Sequence, residues 1–294
     1  MNINKTLIGK DNYLFLQNDS GKELEVHNNN LCLVANNFYI KFNSIKYKYL
    51  LIVFPNKSYI YKNYLPDNFE LKYRPAFNLY KNYLEDHILD GYIILESYND
   101  TYYKTDSHIN LYGNYIIYNS FIDKVNFLFK LNIQKNNINI LKKECNNLTD
   151  LHIGIGDLTW SSNLGTQKLN DTTDNYYYTH DFNTIFLNYI INTNEDIKLL
   201  FYSKEINNLI DETDKNLNNK IDWIIISKYI LYKKNKDKKY KVLIFYDSFL
   251  LNILPLYLEM FSDVYLCKSK YYLDLINCID PDFIFEFRVE RFLI

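Results

Sequence analysis

Two short stretches carry residue types that do covalent chemistry together. The first is Tyr246-Asp247-Ser248, which closes one apolar run and opens another. A serine at that point stands at the carboxyl end of a strand and beside a helix N-terminus, where backbone N–H groups favour negative charge. This suits a nucleophile whose attack creates an oxyanion. The plainer reading is an N-cap, since Asp and Ser dominate that position. The second stretch is Asp106-Ser107-His108. A serine nucleophile needs a base to take its proton, and the imidazole needs an orienter. Asp at i and His at i+2 in a loop can supply both, the carboxylate taking the Nδ1 proton while Nε2 faces the serine. Taken alone, Asp-x-His also fits a solvated loop or half of a metal site. No Cys, His or Asp spacing elsewhere completes a zinc pattern, so no metal site is expected. Of the other histidines, His87 falls on the core face or edge of a predicted helix and His27 in a polar turn. His152 and His180 lie in an irregular middle region and stay open as bases.

The elements that must hold these residues alternate between strand and helix. Residues 13–16, 48–54 and 91–96 read as strands, the second stopped by Pro55-Asn56. Residues 77–89 have helical spacing, and 111–125 form an amphipathic helix with Asn110 as its N-cap. Towards the end, strands at 241–246, 263–267 and 282–287 alternate with helices at 249–261, which carries Pro255, and 271–278. The middle, about 126–239, is less regular. It has polar loops such as 170–174, a strand at 197–202 and a helix near Trp223. Such alternation implies an α/β fold with a mostly parallel sheet, helices on both faces, and chemistry at the carboxyl ends of the strands. The 294 residues are expected to form a single domain with an insertion at about 126–239.

Composition narrows the function classes. A net charge of -2 gives no basic field to collect nucleic acid. The basic run at 233–239 therefore reads as a solvated loop. No apolar run spans a bilayer, and the start lacks the apolar stretch of a signal peptide, so a cytoplasmic location is the expectation. Four scattered cysteines fit a reducing compartment better than a disulfide framework. The 30 Tyr and only 7 Gly follow AT-rich codon usage, so an aromatic stripe is not read as a sugar or base platform.

Several segments together resemble the SGNH-hydrolase-like polysaccharide O-acetyltransferases of the alginate acetylation type. Gly9-Lys-Asp-Asn-Tyr-Leu-Phe-Leu16 is similar to that family's opening turn and strand. Leu51-Ile-Val-Phe-Pro-Asn-Lys-Ser-Tyr-Ile-Tyr61, followed by Leu65-Pro-Asp67, is similar to its strand ending in Pro-(Asp/Asn)-Lys. Tyr102-Tyr-Lys-Thr-Asp-Ser-His-Ile-Asn110 with Gly113 resembles its Thr-Asp-x-His block, and Phe245-Tyr-Asp-Ser-Phe249 its nucleophile turn. Pro281 and the strand after it, ending in Glu290-Arg291, resemble its closing strand. The order and spacing agree along nearly the whole chain.

The resemblance implies an SGNH-hydrolase-like (flavodoxin-like) fold with Ser248 as nucleophile, His108 as base and Asp106 as orienter. It implies acetyl transfer to hydroxyls of a polysaccharide or glycan through an acyl-serine. An acetyl donor is then a co-substrate, and no cofactor is needed. A carbohydrate acetylesterase with the same triad, or a non-catalytic glycan-binding module, are the alternatives. The chain departs from the family pattern at Asn12 (Gly), Ile109 (Trp) and Tyr246 (often Gly). It also has no counterpart of the separate Gly and Asn blocks of an SGNH oxyanion hole. The Ser248 N–H is one expected donor and Gly156, in a Gly-Asp-Leu match, a candidate second. Lys57, at a strand end, could reach the site. Arg288 and Arg291 could bind an acidic sugar or hold Glu286 or Glu290.

Overall fold

Runs of β-branched and aromatic residues without turn signals become central strands when both faces find cover. Lys241–Tyr246 (β9) and Tyr49–Phe54 (β3) do so, flanking Phe283–Val289 (β11). The computed structural model describes residues 5–19, 23–24, 43, 45–67, 69, 71, 74–138, 140–145, 157–160, 173–178, 197–201 and 229–293. Within them, Ile88–Asp90 (β4) pairs outside β3, and Asp263–Cys267 (β10) pairs on the far side of β9. These five strands run parallel. Tyr229–Lys234 (β8) and Ile197–Phe201 (β7) extend the sheet antiparallel, giving the order β4-β3-β11-β9-β10-β8-β7. The irregular middle thus contributes two strands to one edge of the main sheet. It also carries a separate antiparallel pair, Ile140–Cys145 (β5) with Thr173–Tyr178 (β6), so the polar loop expected at 170–174 ends inside a strand. Thr6–Ile8 (β1) and Leu14–Leu16 (β2) form a small antiparallel sheet of their own.

The sheet separates two apolar layers, because alternate residues along each strand face opposite ways. Leu50, Ile52, Phe54, Ile244, Tyr246 and Phe287 face the helices Leu111–Phe129 (α4) and Leu254–Leu258 (α6). Tyr49, Leu51, Val53, Leu243, Phe245 and Ile284 face Pro75–Leu84 (α2) and Leu273–Ile279 (α7). The fold is therefore the mostly parallel, two-faced α/β arrangement expected of the SGNH class. No helix among the described residues is long and apolar enough to cross a membrane.

Three local expectations are corrected. The strand expected at 91–96 is displaced: β4 ends at Asp90, and Gly91–Leu95 is a short helix (α3). Asp90 caps it by accepting from the Tyr92 N–H at 3.0 Å. A short apolar run does not distinguish strand from buried helix, and here the cap decides. The helix at 77–89 starts at Pro75 and ends at Leu84, and His87 closes the next 3-10 turn, where its Nδ1 lies 2.8 Å from the Tyr49 carbonyl oxygen. The helix at 249–261 is two pieces, a 3-10 turn at Ser248–Ile253 and then α6 with Pro255 in its first turn. Proline has no N–H to give to a preceding turn and starts a helix more easily than it continues one. The helix expected near Trp223 lies outside the described residues.

Asn110 caps α4 as expected, accepting from the Gly113 N–H at 2.9 Å. A Cβ on Gly113 would stand 2.4 Å from the Thr101 carbonyl oxygen and 2.7 Å from Ile109 Cγ1. Alanine's helix propensity favours it over glycine by about 1 kcal/mol, but this overlap with backbone costs about 1–3 kcal/mol. Gly113→Ala is expected to lower the denaturant midpoint of unfolding; an equal or higher midpoint would contradict the close approach.

Candidate active site

The loop between α3 and α4 is built as a hairpin. Asn110 N–H donates to the Thr101 oxygen at 3.0 Å, and Tyr102 and Ile109 form an isolated antiparallel bridge. Its base is tied to the sheet. The Tyr61 hydroxyl accepts from the Thr101 N–H at 2.9 Å, and the Tyr102 hydroxyl donates to the Pro55 oxygen. Asp106 and His108 sit at the tip.

The serine turn is fixed separately. Asp247 Oδ1 accepts from the Phe249 N–H at 2.9 Å, and Oδ2 from the Val289 N–H of β11 at 2.7 Å. Capping therefore falls to Asp247, and the neighbouring Ser248 hydroxyl is left for another partner. A polar clasp joins the two halves: Asn114 Nδ2 of α4 donates to the Phe249 oxygen at 2.7 Å and to Asn252 Oδ1 at 2.6 Å, and Asn252 Nδ2 donates to the Ile109 oxygen at 3.1 Å. The His108 ring packs on Phe249 with centroids 4.9 Å apart.

With both loops so held, Asp106, His108 and Ser248 form one hydrogen-bonded chain. His108 Nδ1 lies 2.7 Å from Asp106 Oδ1, and Nε2 lies 2.8 Å from Ser248 Oγ. An ionised carboxylate can only accept, so Nδ1 carries the proton, and Nε2 is left to accept from the serine hydroxyl. The carboxylate is further saturated by N–H donors. Asp106 Oδ1 also accepts from the His108 N–H at 2.8 Å, and Oδ2 from the Asp157 N–H at 3.0 Å.

The electrostatics follow from these contacts. Burial works to raise the Asp106 pKa, but the His108 hydrogen bond and charge and the two backbone donors outweigh it and hold the carboxyl well below the usual range. Burial works to lower the His108 pKa, and the bond to Asp106 and its charge outweigh it, so the imidazole is raised above its ordinary value. Only neutral His108 can accept the serine proton. The reactivity of the Ser248 hydroxyl is thus expected to rise with pH through a midpoint above about 6.5. A midpoint at or below that value in the pH profile of Ser248 modification by a serine-directed sulfonyl reagent would contradict the Asp106–His108 coupling.

Sequence reasoning left Asp157 without a role. It lies in the Gly-Asp-Leu match, on the four-residue helix Asp157–Trp160 (α5), beside the tip of the acid loop. Its Oδ1 accepts from the Ser107 N–H and its Oδ2 from the Ser107 hydroxyl, each at 2.7 Å. Asp157 Oδ2 stands 3.7 Å from His108 Nδ1, and burial together with the Asp106 charge raises its pKa. Asp106, His108 and Asp157 are the one group among the described residues that offers ligand atoms close enough for a metal, within 4.8 Å of one another. A metal there would have to displace the 2.7 Å bond between Nδ1 and Asp106.

The remaining candidates fall elsewhere. Gly156 lies outside the described residues. Lys57 is 1 % exposed beneath the acid loop, not beside the serine. Burial pushes its pKa down to about 7, against the pull of Asp106, Glu23 and Asp157. Arg291 is buried with its guanidinium 5.1 Å above Phe249, and Nη1 donates to the fully buried Glu23 at 3.0 Å. Its partner is therefore neither Glu286 nor Glu290. Arg288 does hold Glu286, at 2.7 Å, while Glu290 pairs with Arg74 at 2.6 Å. Ser248 itself opens onto a cavity of about 350 Å³, walled by Tyr246, Asp247, Lys268, Ser269, Arg288 and Phe292 among others. This is the crevice outside the carboxyl ends of β9, β10 and β11.

No family model and no curated relative matches the sequence. Solved structures do match its fold over almost its whole length. Bacillus cereus PatB1, also solved with a sulfonyl adduct, aligns with a TM-score of 0.62 at 14% identity, covering 98% of this chain and 96% of that one. A DHHW family protein from Eubacterium siraeum aligns at 0.59 and 16% identity, covering 99% and 92%. The O-acetyltransferase domain of Pseudomonas putida AlgJ aligns at 0.52 and 14% identity, covering 98% and 91%. At these identities the shared property is the fold.

Proposed function

We propose that the chain is a serine-dependent O-acetyltransferase that moves an acetyl group onto hydroxyls of a polysaccharide or glycan. The observation that carries this reading is the unbroken chain from Asp106 through His108 to Ser248, opening onto a cavity. The fold held in common with the O-acetyltransferase domain of AlgJ supports it, as does the sulfonyl adduct of PatB1, a chemistry that suits a fold hosting a reactive nucleophile.

In the first half-reaction, Ser248 Oγ attacks the acetyl carbonyl carbon of the donor, and His108 Nε2 takes the hydroxyl proton. The tetrahedral intermediate collapses, its bond to the leaving group breaks, and the leaving group takes the proton from Nε2. Acetyl-Ser248 remains. In the second half, an acceptor hydroxyl gives its proton to Nε2 and attacks the acetyl carbon, and Ser248 departs with that proton. Asp106 stays ionised and stabilises the imidazolium in both halves. The Ser248 N–H is the proposed first oxyanion donor. No step calls for a metal or an organic cofactor.

Water in place of the acceptor would make the same site an esterase. Incubation with p-nitrophenyl acetate and neutral, amino-sugar or uronic-acid oligosaccharides separates the two. Acetylated oligosaccharide, seen by mass spectrometry and absent with Ser248→Ala, is the expected result. Free acetate alone with every acceptor would favour the esterase.

A further inference from the structure

We propose that Lys57 is a positioning residue for the acid of the triad, setting where the Asp106 carboxylate stands by gripping the backbone of its loop; this rests on the triad reading above. Lys57 begins the four-residue helix Lys57–Ile60 (α1) at the carboxyl end of β3, and so stands on the rigid sheet. An ammonium has three N–H donors and no acceptor. Here all three are used on backbone carbonyl oxygens: Leu14 at 2.7 Å, Lys104 at 2.8 Å and Asp106 at 2.9 Å. Leu14 belongs to β2, and Lys104 and Asp106 to the acid loop. One side chain therefore joins the sheet, the small N-terminal sheet and the loop that carries the acid.

The contact falls on the carbonyl of Asp106 itself. The side chain of that residue must meet His108 Nδ1 at one end and the Asp157 N–H at the other. The Leu14 N–H donates to the Lys104 oxygen at 3.1 Å, a second tie between the same segments. Lys57 lines no part of the cavity beside Ser248. A buried charge is expensive to desolvate, and an apolar side chain would fill this place without that cost. Phe15 and Tyr13 already lie 5.6 and 5.8 Å from the ammonium. The lysine amine holds what an apolar side chain could not, the backbone of the loop that carries the acid.

The test uses the full chain and two variants. Lys57→Met keeps an unbranched side chain, one atom shorter, and removes every donor. Lys57→Gln restores an amide with two. With p-nitrophenyl acetate, Lys57→Met is expected to lower kcat about 10- to 100-fold, the scale on which a misplaced catalytic group acts. KM should stay within about twofold, since no wall of the cavity changes. The far-downfield proton signal of His108 Nδ1–H, hydrogen-bonded to Asp106, is expected to shift or broaden away, and Lys57→Gln should recover part of both. An unmoved signal with kcat within about twofold of wild type would overturn the proposal. Loss of the folded state in both variants would overturn it too, assigning Lys57 to the general core. The proton signal reads the Asp106–His108 geometry whether or not the protein turns over. If Ser248→Ala keeps full activity, the triad reading fails while the signal still decides the part played by Lys57.

Discussion

Ser248→Ala is expected to abolish acyl transfer, with kcat on p-nitrophenyl acetate falling to background, a loss on the order of a million-fold where the nucleophile is the only route. The substitution removes one oxygen. That oxygen is the single hydroxyl within hydrogen-bond reach of His108 Nε2 among the described residues, at 2.8 Å. The rest of the turn does not depend on it. The Asp247 carboxylate caps the turn and ties it to β11 through Val289, and Asn114 holds the Phe249 carbonyl. The variant should keep its free energy of unfolding to within about 0.5 kcal/mol, as substitutions outside packed cores do. A variant that folds and still turns over at the wild-type rate would place the chemistry elsewhere.

Asp106→Asn should cost about 10⁴-fold in kcat, and the reason lies in donor and acceptor counting. In the wild type both carboxylate oxygens accept. Oδ1 faces His108 Nδ1 and the His108 N–H, and Oδ2 faces the Asp157 N–H. An asparagine has one acceptor end. If its oxygen faces His108, its NH₂ meets the Asp157 N–H, donor against donor. If it flips, its NH₂ faces Nδ1, which must then accept, and the imidazole proton moves to Nε2 and points at Ser248. That tautomer cannot take the serine proton. Either orientation loses an interaction, so a fall in stability should accompany the fall in rate. Kinetics on the folded variant, with thermal unfolding alongside, check both. A loss below about tenfold would mean that Asp106 is not the orienter.

The hydrogen-bonded chain from Asp106 through His108 to Ser248 joins pieces that are local signals in the sequence. Asp106 and His108 lie two residues apart, and Asp247-Ser248 follows a short apolar run that reads as a buried strand. The parallel core was legible for the same reason, since β3, β9 and β10 are short, mostly apolar runs with turn residues at their ends, and β11 differs only by Glu286 and Arg288, which pair with each other. What failed or stayed open depends on contacts far apart in the chain. Asp157 reaches Ser107 and Asp106 across about fifty residues, and no spacing rule relates them. Arg291 was read against its neighbours Glu286 and Glu290, whereas its partner, Glu23, comes from the other end of the chain. Lys57 reads in the sequence only as a strand-end lysine that could reach the site, because nothing in Pro55-Asn56-Lys57 announces that three carbonyls from two other segments converge on it. The exchange of strand for helix at Gly91–Leu95 is of another kind. Five apolar residues fit either element, and Asp90, which decides it as a cap, reads equally well as the end of a strand.

The most direct measurement is the mass of the protein quenched during turnover of p-nitrophenyl acetate, followed by peptide mapping of the adduct. A single added acetyl group on the peptide that contains Ser248, discharged when a glycan acceptor is supplied and absent from Ser248→Ala, is the predicted result. Wild-type protein that releases acetate with no acyl adduct at any quench time, at a rate unchanged by Ser248→Ala, would contradict the acyl-serine at the centre of the proposal.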